Sequence, residues 1–157
     1  PAPALPAGVE VFADFNHGFG EWFPSGTAFG DAPTGPGAWM PRADTVQLAP
    51  SGVVHSGLLS PKLRGTLRSP TFTLAHGRIQ FLAAGEQARI KLIIEGYSMH
   101  PFTSLLFEMT ALDVNHGNEF RWIEMAGLEK YAGCEAYLEF IDDGDGGAVT
   151  ALLPFDY

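Results

Sequence analysis

The sequence predicts an all-β domain built as a single jelly-roll β-sandwich. Short apolar runs are separated by 19 glycines and 12 prolines, and no stretch carries a helical apolar stripe over three turns. Many short strands separated by turns are typical of a sandwich or barrel. The 157 residues suit one domain that buries about two-thirds of its unfolded surface.

The expected strands follow one another with turn residues between them. The Gly/Pro-rich loop at 30–37 is too irregular for a strand and is expected at the surface. The strands predicted from alternation and turn signals are 10–15, 22–24, 38–40, 45–48, 53–58, 65–69, 71–74, 78–84, 88–95, 105–110, 119–124, 134–141 and 148–155.

Residues 122–145, WIEMAGLEKYAGCEAYLEFIDDGD, form the most informative stretch. Their order predicts a strand, a short turn, a second strand and an acidic glycine loop. Leu128 and Tyr131 are expected to pack beneath a sheet, and Gly133 then releases the chain into the next strand.

Alternation along two strands separates a core face from an outward face. The inward rows are expected to be Ile90, Leu92 and Ile94 on one strand, with Leu138 and Phe140 on the other. If these strands share a sheet, the opposite face is a mixed polar and apolar platform suited to a sugar. It would carry Lys91, Glu95, Tyr137 and Glu139 around Ile93 and Ile141. An ordinary solvated sheet face is the alternative.

The charge balance, apolar runs and cysteine count of the sequence restrict the classes of partner that it can bind. Nine basic and 18 acidic residues give a net charge of −9, which argues against nucleic acid or an anionic membrane and favours a neutral or cationic ligand. No apolar run approaches the about 20 residues that membrane insertion requires. Cys134 is the only cysteine and cannot form an internal disulfide. The Pro-rich start predicts a linker over residues 1–8, ahead of one domain over 9–157.

Four runs together resemble a known group of proteins. They are FADFNHGFGEWFPSGTAFGDAP (12–33), VVHSGLLSPKLRGTLRSPTFTL (53–74), RIKLIIEGYSMH (89–100) and FRWIEMAGLEKYAGCEAYLEFIDDGDG (120–146). The chain is similar to the β-sandwich region of large planctomycete proteins that combine a cytochrome c-like domain with domains of unknown function. The resemblance implies a galactose-binding-like or lectin-like module of an exported, periplasmic or cell-surface, polysaccharide-related protein.

The chain departs from that group at two points. Gly147, Ala148 and Ala151 stand where similar proteins have an aromatic residue and an aspartate-bearing strand, so no ligand contact carries over to the last strand. The haem motif Cys-x-x-Cys-His is absent, so no electron-transfer role carries over either.

Aromatic residues supply the candidate surfaces for a sugar ring. Trp22 and Trp122 are expected in the core, whereas Trp39 and Tyr97 lie next to loops and are better placed for exposure. Arg64 and Arg68 are candidates for binding hydroxyls or a carboxylate, and pairing with an acidic residue is an equal alternative for both. The predicted ligand-binding set is Tyr97, Trp39, Lys91, Glu95, Arg68, Tyr137 and Glu139.

The acidic loop is a candidate metal site. Asp142, Asp143 and Asp145 could hold a structural calcium ion, completed by Asp14 or by backbone carbonyls. A turn with solvated aspartates is the alternative. No other cofactor is expected.

Catalytic patterns are weak. His55 and Ser56 are adjacent, and neighbours on a strand point to opposite faces, so they do not form a nucleophile–base pair. The five histidines show no zinc-ligand spacing. Glu95 and Glu139 could act as the carboxylate pair of a glycoside hydrolase. This catalytic function ranks third, after the two non-catalytic functions given below.

The sequence thus predicts a non-catalytic carbohydrate-binding accessory module of an exported multidomain protein, with a polysaccharide or oligosaccharide as partner. The alternative is a structural or protein-interaction sandwich that packs on neighbouring domains and has no small-molecule ligand. Neither nucleic acid nor membrane insertion is expected.

Overall fold

The computed structural model describes residues 7, 10–36, 39–41, 46–48, 52–57, 62–94, 111–142 and 155–156, with the backbone alone at 39–41, 46–48, 118 and 155–156. Within these ranges the regular structure is β, apart from one 3₁₀ turn at Glu129–Tyr131. The strands are β1 (Val11–Ala13), β2 (Phe23–Gly26), β3 (Trp39–Pro41), β4 (Val46–Leu48), β5 (Gly65–Arg68), β6 (Phe72–Thr73), β7 (Arg78–Gly85), β8 (Ala88–Ile94), β9 (Ala111–Val114), β10 (Gly117–Ala126), β11 (Glu135–Asp142) and β12 (Phe155–Asp156).

The strands form antiparallel sheets. A six-stranded sheet has the order β2-β5-β11-β8-β9, and β6 also pairs with β11. A four-stranded sheet has the order β1-β12-β7-β10, and β3 and β4 form a separate pair. The predicted all-β sandwich is therefore confirmed.

The core lies between the two larger sheets. Phe81 of the four-stranded sheet meets Phe140 of the six-stranded sheet edge to face, with ring centroids 6.2 Å apart. Trp22 stacks on Phe140 at 5.0 Å. The inward rows predicted from alternation are confirmed, since Ile90, Leu92, Ile94, Leu138 and Phe140 are all buried.

The turn before β11 also agrees with its prediction. Leu128 and Tyr131 are buried at the 3₁₀ turn. Gly133 then adopts a φ of 84°, a left-handed conformation that glycine takes at little cost. Its N–H donates to the Leu74 carbonyl at 2.7 Å, and the Leu74 N–H donates to the Cys134 carbonyl at 2.9 Å. These two bonds hold the start of β11 in place.

The strand predicted at 53–58 is wrong over the residues that the structure describes. Residues 53–57 form a buried loop with an isolated bridge position at His55, and Val53 bonds to Thr34. The Val53 N–H donates to Thr34 Oγ1 at 3.0 Å, and the Thr34 N–H donates to the Val53 carbonyl at 2.8 Å. Thr34 is therefore buried, although the Gly/Pro-rich loop that contains it was expected at the surface.

The predicted burial of Trp122 is also wrong. It was expected in the core but is half-buried, on the face of β10 opposite to Ile123 and Met125. Its register partner on β7 is Leu82, whereas Ile123 and Met125 pair with the core residues Phe81 and Ile79. Trp22, in contrast, is buried as expected.

Strand β9 was not predicted, and the predicted strand at 105–110 lies outside the described residues. No helix in the described ranges has the length and apolarity to cross a membrane.

Ser69 joins the end of β5 to β11. Its backbone N–H donates to the Leu138 carbonyl at 2.9 Å, and its hydroxyl accepts the Leu138 N–H at 2.8 Å. The same hydroxyl donates to the Pro70 carbonyl at 2.8 Å. Because Ser69 is only 3% exposed, water cannot readily replace these bonds.

We expect Ser69→Ala to lower the free energy of unfolding by about 1–3 kcal/mol, because the Leu138 N–H loses its partner in a buried position. Urea denaturation measures the change, and Ser25→Ala on the exposed surface of β2 is the matched control. Equal stabilities of the two variants would contradict the role given to the Ser69 hydroxyl.

Candidate functional site

The candidate site is the side of the six-stranded sheet that faces away from the core. Residues paired across antiparallel strands point to the same side, so the registers define which side chains share this side. We call it the outer face. Its members are Phe23, Ser25, Thr66, Arg68, Thr73, Arg89, Lys91, Ile93, Ala111, Asp113, Glu135, Tyr137, Glu139 and Ile141.

Strands β8 and β11 are direct neighbours in this sheet. Glu139 lies opposite Lys91, and Tyr137 lies opposite Ile93. The sequence predicted a platform only if these two strands share a sheet, and that condition is met. Four of the seven predicted ligand-binding residues, Lys91, Arg68, Tyr137 and Glu139, are brought together on this outer face.

One row of side chains crosses the outer face from the β2 edge to β8. In register order it consists of Phe23, Arg68, Glu139 and Lys91, and we call it the central row. Three strand spacings separate its first and last members, a distance of about 14 Å. Phe23 is 68% exposed, which is unusual for so large an apolar side chain.

Arg68 contacts an aromatic ring. Its guanidinium carbon lies 3.7 Å from the centroid of the Tyr137 ring, within the range of a cation–π contact. Arg68 was expected either to bind a ligand or to pair with an acidic residue, and here it lies on an aromatic face instead. The contact fixes the guanidinium plane beside the central row while its N–H donors can still reach a ligand.

The charges of the central row do not neutralise one another. Among the described residues, Arg68, Glu139 and Lys91 form no ion pair, although they lie on adjacent strands. Arg89 and Asp113, which are paired on β8 and β9 of the same outer face, do form an ion pair, with Arg89 Nε 2.9 Å from Asp113 Oδ1. The central row thus offers hydrogen-bond donors and an acceptor to a ligand, next to two aromatic rings.

The other predicted ligand residues fall elsewhere. Glu95 and Tyr97 lie outside the described residues. Trp39 belongs to the separate β3–β4 sheet, and its side chain also lies outside the described part. Arg64 is exposed just before β5.

Phe23 was missed as a site residue, although the sequence carried a signal for it. Trp22 was assigned to the core, and neighbours on a strand point to opposite sides, so Phe23 had to face outward. Its position on an edge strand next to Arg68 depends on the register of β2 with β5, which is a long-range property.

The acidic loop is only partly described. Asp142 is 1% exposed at the end of β11, where it pairs with Gly65 and Ala88. It points inward in the same alternation as Phe140, so the expectation of a solvated Asp142 is wrong. Asp143 and Asp145 lie outside the described residues.

The calcium site assigned to these aspartates stays a prediction. Over the residues that the structure describes, no three His, Cys, Asp or Glu side chains are grouped as metal ligands.

His55 and Ser56 are both buried. The His55 ring accepts the Gly57 N–H through Nδ1 at 2.8 Å, which places the proton of a neutral ring on Nε2. This bond gives His55 a structural role in the loop at 52–57.

No protein-family model matches the chain, and no curated protein matches it. Among solved structures, the chain is similar to TmCBM61 in complex with beta-1,4-galactotriose, with a TM-score of 0.43 and 15% identity over 88% of both chains. It is also similar to a family two carbohydrate esterase from Cellvibrio japonicus, with a TM-score of 0.41 and 14% identity over 86% of this chain and 33% of that chain. Function is therefore inferred from the geometry of the outer face.

Proposed function

We propose that this domain is a non-catalytic carbohydrate-binding module and that a glycan binds on the outer face. The observation that carries the proposal is the central row, in which the Arg68 guanidinium lies over the Tyr137 ring beside Glu139 and Lys91. Sugar binding needs a planar apolar surface under the ring and fixed polar groups around its hydroxyls. Phe23 supplies the first, and Glu139, Lys91 and the N–H donors of Arg68 supply the second.

The ligand is an oligosaccharide or polysaccharide rather than a single sugar. The central row is about 14 Å long and, over the residues that the structure describes, lies on a sheet surface instead of in an enclosed pocket. A chain of sugar units can lie along it, with one ring over Phe23 and another beside the Arg68–Tyr137 pair.

The alternative, a surface that packs on a neighbouring domain, agrees less well with these residues. Lys and Glu are depleted at the centre of protein interfaces, whereas both stand at the centre of this outer face. A packing surface of this size would be contiguous and apolar. The outer face alternates charged and apolar side chains instead.

The wider context also belongs to the proposal. The domain serves as an accessory module of an exported, periplasmic or cell-surface multidomain protein, which brings an associated domain to a polysaccharide. The resemblance to the planctomycete sandwich regions supports this context. The linker at residues 1–8, a structural calcium ion at Asp142, Asp143 and Asp145, and the placement of Tyr97, Trp39 and Glu95 in the site are parts of the same proposal.

We expect Tyr137→Ala to weaken glycan binding by roughly tenfold, about 1.5 kcal/mol, because Arg68 loses the aromatic ring that positions its N–H donors. Affinity gel electrophoresis against a panel of neutral polysaccharides identifies the ligand, and titration calorimetry with its oligosaccharide measures Kd. Tyr137→Phe keeps the ring and is the matched control, with a change of less than about threefold expected.

Two results would contradict the proposal. Tyr137→Ala that stays folded and binds an identified glycan as tightly as the parent would place the site elsewhere. Release of reducing ends or of ester groups from the same polysaccharides by the purified domain would show that it is an enzyme.

A further inference from the structure

The loop between β1 and β2 encloses an open cleft of about 390 Å³. Its volume lies within the range of small-molecule sites, about 300–1,000 Å³. Its walls are largely aromatic, with Phe12 and Phe19 half-buried and Phe15 and Trp22 almost fully buried. A few polar groups around an apolar lining is the usual composition of a ligand site.

The cleft is held by the core beneath it. Phe15 packs edge-on against Trp22 at 5.1 Å, and Trp22 stacks on Phe140. Phe15 also adopts a φ of 53°, a left-handed conformation that is uncommon for a bulky residue. The packing of its ring in the core compensates for this backbone strain, so the cleft is preformed rather than assembled on binding.

The ionisable groups around the cleft are mainly acidic. Among the described residues, Asp14, Glu21 and His17 line it, and neither lysine nor arginine does. The Asn16 N–H donates to Asp14 Oδ1 at 3.0 Å. This hydrogen bond lowers the pKa of Asp14, more than burial raises it, and stabilises the ionised carboxyl. Two carboxylates disfavour an anion and favour a cation.

Aromatic rings strengthen the same preference. A cation over the face of a ring is attracted by its quadrupole, and the half-buried Phe12 and Phe19 leave ring surface accessible. A neutral ligand would use the rings but not the carboxylates, and an anionic ligand would be repelled by them.

The cleft and the central row use neighbouring residues of the same chain segments. Trp22 immediately precedes Phe23, and Pro70 lies two residues after Arg68. Because Trp22 faces the core and Phe23 faces outward, the cleft and the central row lie on different sides of the sheet at this point.

We propose that the cleft is a second binding site, separate from the outer face, and that it takes the ammonium group of an amino sugar. The choice of a sugar rests on the proposed function, whereas the preference for a cation rests on the cleft alone. Asp14 and Glu21 bind the charge, and Phe19 contacts the ring of the sugar.

The test uses a β-1,4-linked glucosamine tetramer and its N-acetylated counterpart, which has the same backbone without the charge. We expect the glucosamine tetramer to bind at least tenfold more tightly in titration calorimetry, with a difference that shrinks as salt is added. Asp14→Asn keeps the acceptor for the Asn16 N–H and should weaken binding of the charged tetramer by about tenfold, as should Phe19→Ala. Glu21→Gln, at an exposed position, gives a third measurement with little risk to folding.

Glu86→Gln, at an exposed carboxylate that does not line the cleft, is the matched control, and it should leave binding of the charged tetramer within about twofold. Equal affinity for the two tetramers, no binding of the charged one, or no effect of the three cleft variants would overturn the proposal. Equal binding of a lysine peptide would show that the site takes a cationic protein segment and would overturn the assignment to a sugar.

The outer-face site and the cleft site can fail separately. If Tyr137→Ala has no effect on binding of any neutral glycan while the cleft variants behave as expected, the outer-face site is wrong and the cleft site stands.

Discussion

Phe140→Ala should lower the free energy of unfolding by about 3–5 kcal/mol, a large part of the 5–15 kcal/mol that a domain of this size typically has. Phe140 has no exposed surface and contacts two aromatic rings. Trp22 stacks on it with ring centroids 5.0 Å apart, and Phe81 meets it edge-on with centroids 6.2 Å apart. Alanine would leave a cavity between the two sheets and remove both aromatic contacts. Urea or guanidinium denaturation of the purified domain measures the loss.

Phe23→Ala provides a control of the same residue type on the same sheet. Phe23 is 68% exposed on the opposite side, so its removal should change stability by no more than about 0.5 kcal/mol. Similar losses in the two variants would mean that Phe140 does not join the sheets in the way described.

Side-chain alternation made the two faces of this sheet predictable. A strand repeats every two residues, so Ile90, Leu92 and Ile94 had to share one side, and Lys91 the other. The same rule placed Leu138 and Phe140 inward, and Tyr137 and Glu139 outward. Local sequence contains all the information that this assignment needs.

Strand pairing was not predictable in the same way. Lys91 and Glu139 are opposite each other on β8 and β11, which are far apart in sequence. Nothing local specifies this register, because many strands of this chain have similar alternation. The central row, which also needs the pairing of β2 with β5, therefore became visible only in the structure.

The errors have equally specific causes. The apolar start of 53–58 suggested a strand, but Thr34 provides the hydrogen bonds of Val53 from a loop. Trp122 and Ile123 are adjacent and both apolar, so alternation could not decide which of them enters the core. The register with Phe81 decides it in favour of Ile123.

Arg68 has the most connections on the outer face. It pairs in register with both Phe23 and Glu139, and its guanidinium covers the Tyr137 ring. A guanidinium in this position can donate to two hydroxyls of one sugar ring while the Tyr137 ring holds it in place. Its side chain is exposed, so its contact with Tyr137 contributes only about 0.5–1 kcal/mol to stability.

Arg68→Ala should therefore weaken binding of the identified glycan by about ten- to a hundredfold, because a hydrogen bond from a charged group contributes about 1.5–3 kcal/mol. Arg68→Lys keeps the charge but not the planar pair of donors, and we expect it to recover less than half of that free energy. Arg78→Ala is the control, since that side chain is 70% exposed on the other sheet and should leave Kd unchanged. Titration calorimetry measures Kd of the three variants for the identified glycan, and melting curves confirm that each variant is folded. Full affinity in Arg68→Ala would exclude the central row as the binding site, and full affinity in Arg68→Lys would reduce the role of Arg68 to its charge.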